Sequence, residues 1–372
     1  MLVQRLRQVC VGASLAALTA ALAGPSNRLV AQSSESPCAI QTTERVVAVG
    51  DVHGAYEAFR AILREARLID NRDRWIGGRA LLIQTGDVLD RGPHSKRAID
   101  LLRKLEREAS RAGGRVHALL GNHEVMRLMG DWRYLSPEEV KAFERPDSAD
   151  LREVVYLRSA AAVASRAVAE KRTYDEAAFR AQFLKEVPLG LIEMRLAFEA
   201  TGEYGQWVRA RPTIVKVNGI AFLHGGVSDT VASLGCDGIN AAVSKELASL
   251  PIPPEKIPST LSVGETGPLW YRGLATEPED AFAPTLATIL EKLRARAVVV
   301  GHTPNPGRIV TRFGGRVIDI DAGMLNGEFF PGGVALALEL RGDAMTAIYI
   351  GRREPLATPA LIQPPPAAPA SR

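Results

Sequence analysis

The chain has 372 residues, 46% apolar, 24% charged and 6% aromatic, with a formal net charge of +4. That composition can bury a sizeable core and excludes collagen-like, coiled-coil and wholly disordered chains; the length allows one large domain or two small ones. In chain order, the first predicted element is a leader. Arg5 and Arg7 precede an uncharged apolar run from Val9 to Ala23, which ends in the small-x-small pattern Ala21-Leu22-Ala23, with a second candidate at Ala31. This predicts a secretory signal peptide over residues 1–31. The alternative is an uncleaved anchor, but a span needs roughly 20 apolar residues and this run is shorter and rich in Ala, Gly, Ser and Thr. The expected location is periplasmic or secreted, with no stable membrane span after cleavage. Residues 1–31 carry Arg5, Arg7 and Arg28 and no acidic residue, so their loss takes the net charge from +4 to +1. The basic charge therefore says little about nucleic acid, and none is expected as a partner. Cys10 leaves with the leader. Cys38 and Cys236 remain as an even pair, either disulfide-bonded in an oxidising compartment or two unrelated thiols.

Residues 32–43 read as a linker, and 44–352 as the folded domain. Glu44-Arg45-Val46-Val47-Ala48-Val49 is a β-branched run closed by Gly50, a buried strand followed by a turn. Residues 55–68 have helical spacing. Residues 80–85 form a second strand ending at Gly86, 95–112 a helix closed by Gly113-Gly114, and 115–120 a third strand ending at Gly121. The alternation predicts an α/β layer architecture. Residues 124–210, rich in Ala, Glu, Arg and Leu, read as a mostly helical insertion, either a substrate-selecting lid or a scaffold. Strands are predicted again at 213–217, 220–223, 297–300, 316–320, 334–340 and 344–350, the last in the chain. Residues 235–265 read as loop-rich, and the Pro/Ala-rich tail 353–372 as disordered.

Five short motifs follow these strands: Gly50-Asp51-Val52-His53-Gly54, Gly86-Asp87-Val88-Leu89-Asp90-Arg91-Gly92, Gly121-Asn122-His123-Glu124, His224-Gly225-Gly226 and Gly301-His302. Singly each is weak. Together they hold four of the six histidines, and side chains on turns past strand ends converge at one sheet edge. Asp, His and Asn without thiolate suit Mn, Fe, Zn or Mg. Two such ions about 3.5–4 Å apart can clamp the attacking and leaving oxygens of a phosphoester, given a bridging carboxylate, for which Asp87 is the central candidate. Arg91 offers a planar fork matched to phosphate. The chain has no Gly-x-Ser-x-Gly elbow, Walker loop or Cys-x-x-Cys pair.

These five motifs resemble the signature of the calcineurin-like metallophosphoesterases, and within them the phosphoprotein phosphatase group, over roughly residues 45–325. The run Gly202-Glu203-Tyr204-Gly205-Gln206-Trp207, the stretch Pro268-Leu269-Trp270-Tyr271-Arg272-Gly273 and the helical insertion are most similar to the bacterial Shewanella-like protein phosphatases. The resemblance implies a β-sandwich of two mixed sheets flanked by helices. It also implies two divalent metals, with Mn favoured in vitro. Asp51 and His53 would hold one, Asn122, His224 and His302 the other, and Asp87 would bridge them. A hydroxide between the metals would attack phosphorus. His123 would protonate the leaving oxygen, Asp90 would orient His123, and Arg91 and Arg272, with Asn122, would bind phosphate. Glu124 is expected to support its loop, His117 to be a structural neighbour, and His94, after Arg91-Gly92-Pro93, either to be structural or to line the pocket.

The expected activity is hydrolysis of phosphoserine, phosphothreonine or phosphotyrosine in proteins, with a small phosphoester as the other class of substrate. The rival is a dinucleoside tetraphosphate hydrolase. Such enzymes carry Gly-Asp-x-x-x-Arg-Gly and end the third motif in Asp, so Asp90 and Glu124 favour the phosphatase. A non-catalytic relative would be expected to have lost ligands, and none is missing. The loop Asp321-Ala322-Gly323-Met324 lacks the Ser-Ala-Pro-Asn-Tyr-Cys segment of the eukaryotic enzymes, which argues against toxin-type inhibition and eukaryotic regulatory subunits. Sequence leaves the oligomeric state open.

Overall fold

The computed structural model describes residues 38–357. The predicted leader, residues 1–31, and the tail from 358 onward lie outside them. The described chain forms two compact units, one of Phe143–Met194 and the other of residues 38–142 and 195–357.

The larger unit carries two six-stranded sheets. One has the order β1 (Ala39–Ile40), β5 (Ile214–Val217), β6 (Ile220–Leu223), β7 (Ala297–Val300), β9 (Val317–Asp319), β8 (Val310–Arg312). The other runs β12 (Arg352–Leu356), β11 (Ala344–Tyr349), β10 (Leu336–Arg341), β2 (Val46–Val49), β3 (Leu81–Gln84), β4 (Arg115–Ala118). Both are mixed. β2, β3 and β4 are parallel, as are β6, β7 and β9, with antiparallel strands outside each trio. The inner faces share one core, in which Ala48, Ile83 and Leu338 of one sheet cluster with Phe222, Val299 and Ile318 of the other. The outer face of the first sheet is covered too: Leu223, Val298 and Val300 cluster with Ile239, Leu286 and Ile289 of helices Gly235–Ala248 and Glu279–Leu293. Strands covered on both faces read as unbroken apolar runs, and β2 (VVAV) and β7 (AVVV) do.

Residues 124–210 contain helices and no strand. Of that stretch only Phe143–Met194 stands as the separate unit, in which Ser148–Ala169 and Glu176–Glu186 pack through Tyr156, Ala160 and Phe183.

Three expectations are corrected. Residues 235–265 are not mainly loop, because Gly235–Ala248 is helical and buries Ile239, Val243 and Leu247 at intervals of four. Glycines and small polar residues around that stripe hid it. The strand at 344–349 is not the last and the tail does not begin at 353, since Arg352–Leu356 pairs antiparallel with β11. It is an edge strand, and edges tolerate Pro355 and charge. Two residues of the expected linker, Ala39–Ile40, extend the other sheet beside β5. Cys38 and Cys236 are disulfide-bonded, with Cα atoms 5.9 Å apart, joining β1 to helix Gly235–Ala248.

Candidate active site

Each parallel strand ends in a turn that carries a site residue. Asp51 and His53 follow β2, Asp87, Asp90 and Arg91 follow β3, and Asn122 and His123 follow β4. From the other sheet, His224 follows β6, His302 follows β7 and Asp321 follows β9. The first two turns are stitched together. The Val52 and His53 N–H groups donate to the Asp87 carbonyl at 2.9 Å, and the Gly54 N–H to that of Val88 at 3.0 Å. His53, Asp87, Asp90, Arg91 and His302 all have positive φ, between 46° and 69°. Strained backbone of this kind persists where surrounding bonds over-determine it. Gly121 is required where it stands, because a Cβ there would collide with the Asp87 carboxylate.

Glu124 over-determines the Asp87 turn. Its carboxylate accepts N–H bonds from Gly121 and Asp87 at 2.8 Å, Val88 at 2.9 Å and Leu89 at 3.2 Å. It supports the loop through these bonds. His117 stays on β4, half-buried, its pKa pushed down to about 4 by burial and by Arg115 and Arg211. His94 precedes helix Ser95–Arg111, its N–H on the Gly54 carbonyl.

The turns bring Asp51, His53, Asp87, Asn122, His123, His224 and His302 into one buried cluster, each at most 5% exposed. His53, Asp87 and His123 form one group of mutually close donor atoms; Asp87, His224 and His302 form a second, so Asp87 is common to both. The Asp87 Oδ2 lies 3.6 Å from His53 Nε2, 3.3 Å from His224 Nε2 and 3.8 Å from His123 Nε2. Asp51 Oδ2 is 3.9 Å from His53 Nε2, and both Asp51 oxygens accept from the His302 N–H.

The donor set fits cations. His224 Nδ1 faces the Thr85 carbonyl at 3.0 Å, so that nitrogen carries the proton. Its Nε2 lies 2.8 Å from Asn122 Oδ1, which in the neutral ring leaves two acceptors aimed at one point. His53 Nδ1 likewise faces the Leu89 carbonyl at 2.9 Å, freeing Nε2 as a ligand. His302 Nε2 is buried with no hydrogen-bond partner. Burial pushes the pKa of His53 down to about 3, and burial with His224 pushes that of His302 down to about 2, so both rings are neutral and ligand-competent. Burial and the carboxylates of Asp321 and Asp87 hold Asp51 well above the usual carboxylate range, as when acids are packed together without a counter-ion.

Beside the cluster, His123 Nδ1 meets Asp90 Oδ2 at 2.8 Å. Burial opposes charge on both, but Arg127 and His123 hold the Asp90 pKa down, and Asp87 and Asp90 raise that of His123. Arg91 reaches His123 Nε2 at 3.3 Å, and its guanidinium lies over the rings of Tyr134 at 5.0 Å and Phe330 at 5.2 Å. Arg272 is exposed and donates to the His302 carbonyl at 2.5 Å. Sequence reading missed Tyr134, Phe330, Arg127 and Asp321. Arg127 had a signal, since it stands four residues after His123 on helix Asn122–Met129 and so shares its face. The aromatic pair reaches the site from distant loops and had none.

A two-sheet sandwich whose strand ends gather Asp, His and Asn side chains is the architecture of a metallophosphoesterase. Residues 44–306 match the calcineurin-like phosphoesterase family, and the chain belongs to it. An uncharacterized protein of Schizosaccharomyces pombe is 30% identical over 75% of this chain and 73% of its own. Shewanella-like protein phosphatase 1 of Plasmodium berghei is 29% identical over 77% of this chain and 68% of its own. Among solved structures, a cold-active protein tyrosine phosphatase from a psychrophilic Shewanella is 27% identical with a TM-score of 0.63, covering 86% of this chain and 82% of that one. The chain is thus a hydrolase acting on phosphoesters; its family implies divalent metal ions, and its cluster offers groups that could hold them.

Proposed function

We propose that the protein is a phosphoprotein phosphatase with a dinuclear site and that it favours phosphotyrosine. The observation that carries the reading is the shared Asp87, with a pair of imidazoles grouped on each side of it. Asp51 and His53 would hold one ion, and Asn122, His224 and His302 the other. When bound, the two ions supply Lewis-acid charge to the phosphate and an activated water beside it. The chain's own groups do the rest. Arg91 and Arg272 bind phosphate oxygens and orient the ester. His123 gives its Nε2 proton to the leaving oxygen, and Asp90 fixes the ring by taking the bond from Nδ1. His123 also lies near His53 and Asp87, but its commitment to Asp90 suits a proton donor facing the substrate better than a ligand.

Support for phosphotyrosine comes from the rim. Tyr134 and Phe329 are 40% and 47% exposed, and both rings lie within 6 Å of the Arg91 guanidinium, a wall on which a phenyl leaving group can pack. The solved Shewanella relative is a protein tyrosine phosphatase by name. Action outside the cytoplasm, after loss of residues 1–31, is part of the same reading; the Cys38–Cys236 bond suits an oxidising compartment. The test is turnover by the Mn-restored protein on a phosphotyrosine peptide, a phosphoserine peptide and diadenosine tetraphosphate, with His123→Asn as the blank. Fastest release from the phosphotyrosine peptide is expected. Dominant cleavage of the dinucleotide would keep the metal site and move the substrate to nucleotides.

A further inference from the structure

The proton donor is braced from behind by a chain of buried charges. Asp90 is fully buried, Glu139 is 1% exposed and Arg127 is 3% exposed. Arg127 uses one terminal nitrogen to contact both carboxylates, Asp90 at Oδ1 and Glu139 at Oε1, the latter at 3.0 Å. His123 Nδ1 takes the other oxygen of Asp90, Oδ2. Both oxygens of Asp90 are therefore tied, one to the imidazole and one to a guanidinium a helical turn further along the same helix. The far end is anchored as well. The Glu139 N–H donates to Ser136 Oγ at 3.2 Å, and that hydroxyl donates at 3.2 Å to the carbonyl of Gly92, the residue after Arg91. The Phe198 ring covers the guanidinium at 5.2 Å.

Stability alone does not account for a guanidinium and two carboxyl groups buried in this position. Taking charges out of water is costly, and well-packed apolar residues often stabilise as much. What the ionic chain adds is orientation. A carboxylate held at one oxygen can swing about its last torsion; held at both, it presents a fixed lone pair to Nδ1 and so fixes where Nε2 points.

We propose that Arg127 is a positioning residue for proton donation, holding Asp90 so that His123 aims Nε2 at the leaving oxygen, with Glu139 as the anchor of Arg127. This rests on the reading of His123 as the proton donor. Proton donation matters when the leaving group is a poor one and little when it departs readily as an anion, so leaving-group dependence separates positioning from general damage.

The experiment compares Arg127→Met with the wild type on phenyl phosphate and on 2,4-dinitrophenyl phosphate, using metal-restored full-length protein. Arg127→Met leaves Glu139 buried without its counter-charge, so Arg127→Met/Glu139→Gln is made beside it and carries the comparison if the single variant does not fold. The expected result is a fall in kcat of about 10- to 100-fold on phenyl phosphate, the range for losing a residue that orients a functional group, and less than about threefold on the dinitrophenyl ester. Metal content should stay at the wild-type level. Equal losses on both esters, or no loss on either, overturn the proposal. His123→Asn is measured in parallel. If it too shows equal losses, the proton-donor reading fails; if it shows the leaving-group dependence and the Arg127 variant does not, only the role of Arg127 fails.

Discussion

At the scale of single residues, the site is organised by which atoms are already committed. His53 and His224 have each given one ring nitrogen to a backbone carbonyl, which leaves the other ring nitrogen to meet a cation in the proposed site. His123 has given its Nδ1 to a carboxylate, which suits a ring that must carry and release a proton. The two kinds of histidine predict two kinds of variant. His123→Asn should keep the wild-type metal content and lower turnover on a phosphopeptide by about two to four orders of magnitude, the span for losing a general acid. Near-normal turnover on that substrate would remove the assignment. Asp87→Asn should lower metal content and activity together, because Asp87 is common to both ligand groups. Elemental analysis of the dialysed protein decides it, and two ions per chain at full occupancy would sink the bridging role.

At the scale of elements, the strand ends set the turns and buried acids hold them. Glu124 closes four backbone N–H groups of the Asp87 turn, so Glu124→Gln weakens charge-assisted bonds at a strained segment and should cost about 2–3 kcal/mol. A urea midpoint unchanged from wild type would show that the turn holds without it. Helix Tyr56–Glu65 is tied in a different way, by Arg60 and Arg64 to Asp73, both at 2.8 Å. Burial opposes the charge on Asp73, but the two arginines outweigh it and hold its pKa below the ordinary value. The folded pKa therefore lies below the unfolded one. Its contribution is present above about pH 4 and is lost as pH falls through the folded value. Asp73→Asn should lower stability by about 1 kcal/mol near neutrality and narrow that gap in acid, read from thermal melts across pH 3–7. What could be read from sequence divides along the same lines. β2, β3, β6 and β7 were legible because burial on both faces leaves short apolar runs closed by turns. The ligand set was legible because those turns carry it. Helix Glu279–Leu293 went unread behind Pro278 and Pro284, although Leu286, Ile289, Leu290 and Leu293 make an apolar stripe. β1, β8 and β12 are two to five residues long and exist through their sheet neighbours, and such pairing leaves no local mark.

At the scale of the molecule, the site needs both sheets at once. Asp51, Asp87 and Asn122 come from the carboxyl ends of one parallel trio, His224 and His302 from the other, and each sheet alone holds an incomplete ligand set. Their relative position depends on the shared core and on whatever limits movement at the outer edge. The disulfide acts at that edge. Cys38 is 2% exposed, its bond to Cys236 links residues 198 apart in sequence, and it fastens β1 and β5 to the helix covering the same sheet. Closing so long a loop in the unfolded chain is worth roughly 5 kcal/mol by chain entropy, with measured values spanning about 0–5 kcal/mol. The cysteines belong to neither metal group, so reduction should act on stability before chemistry. The expected result is a urea midpoint that falls on reduction with the slope of the transition kept, while kcat in the absence of denaturant changes less than about twofold. Cys38→Ser/Cys236→Ser should reproduce the reduced protein. If kcat instead falls in step with reduction while the fold survives, the outer edge of the first sheet sets the register of His224 and His302, and the disulfide belongs to the active site's scaffold.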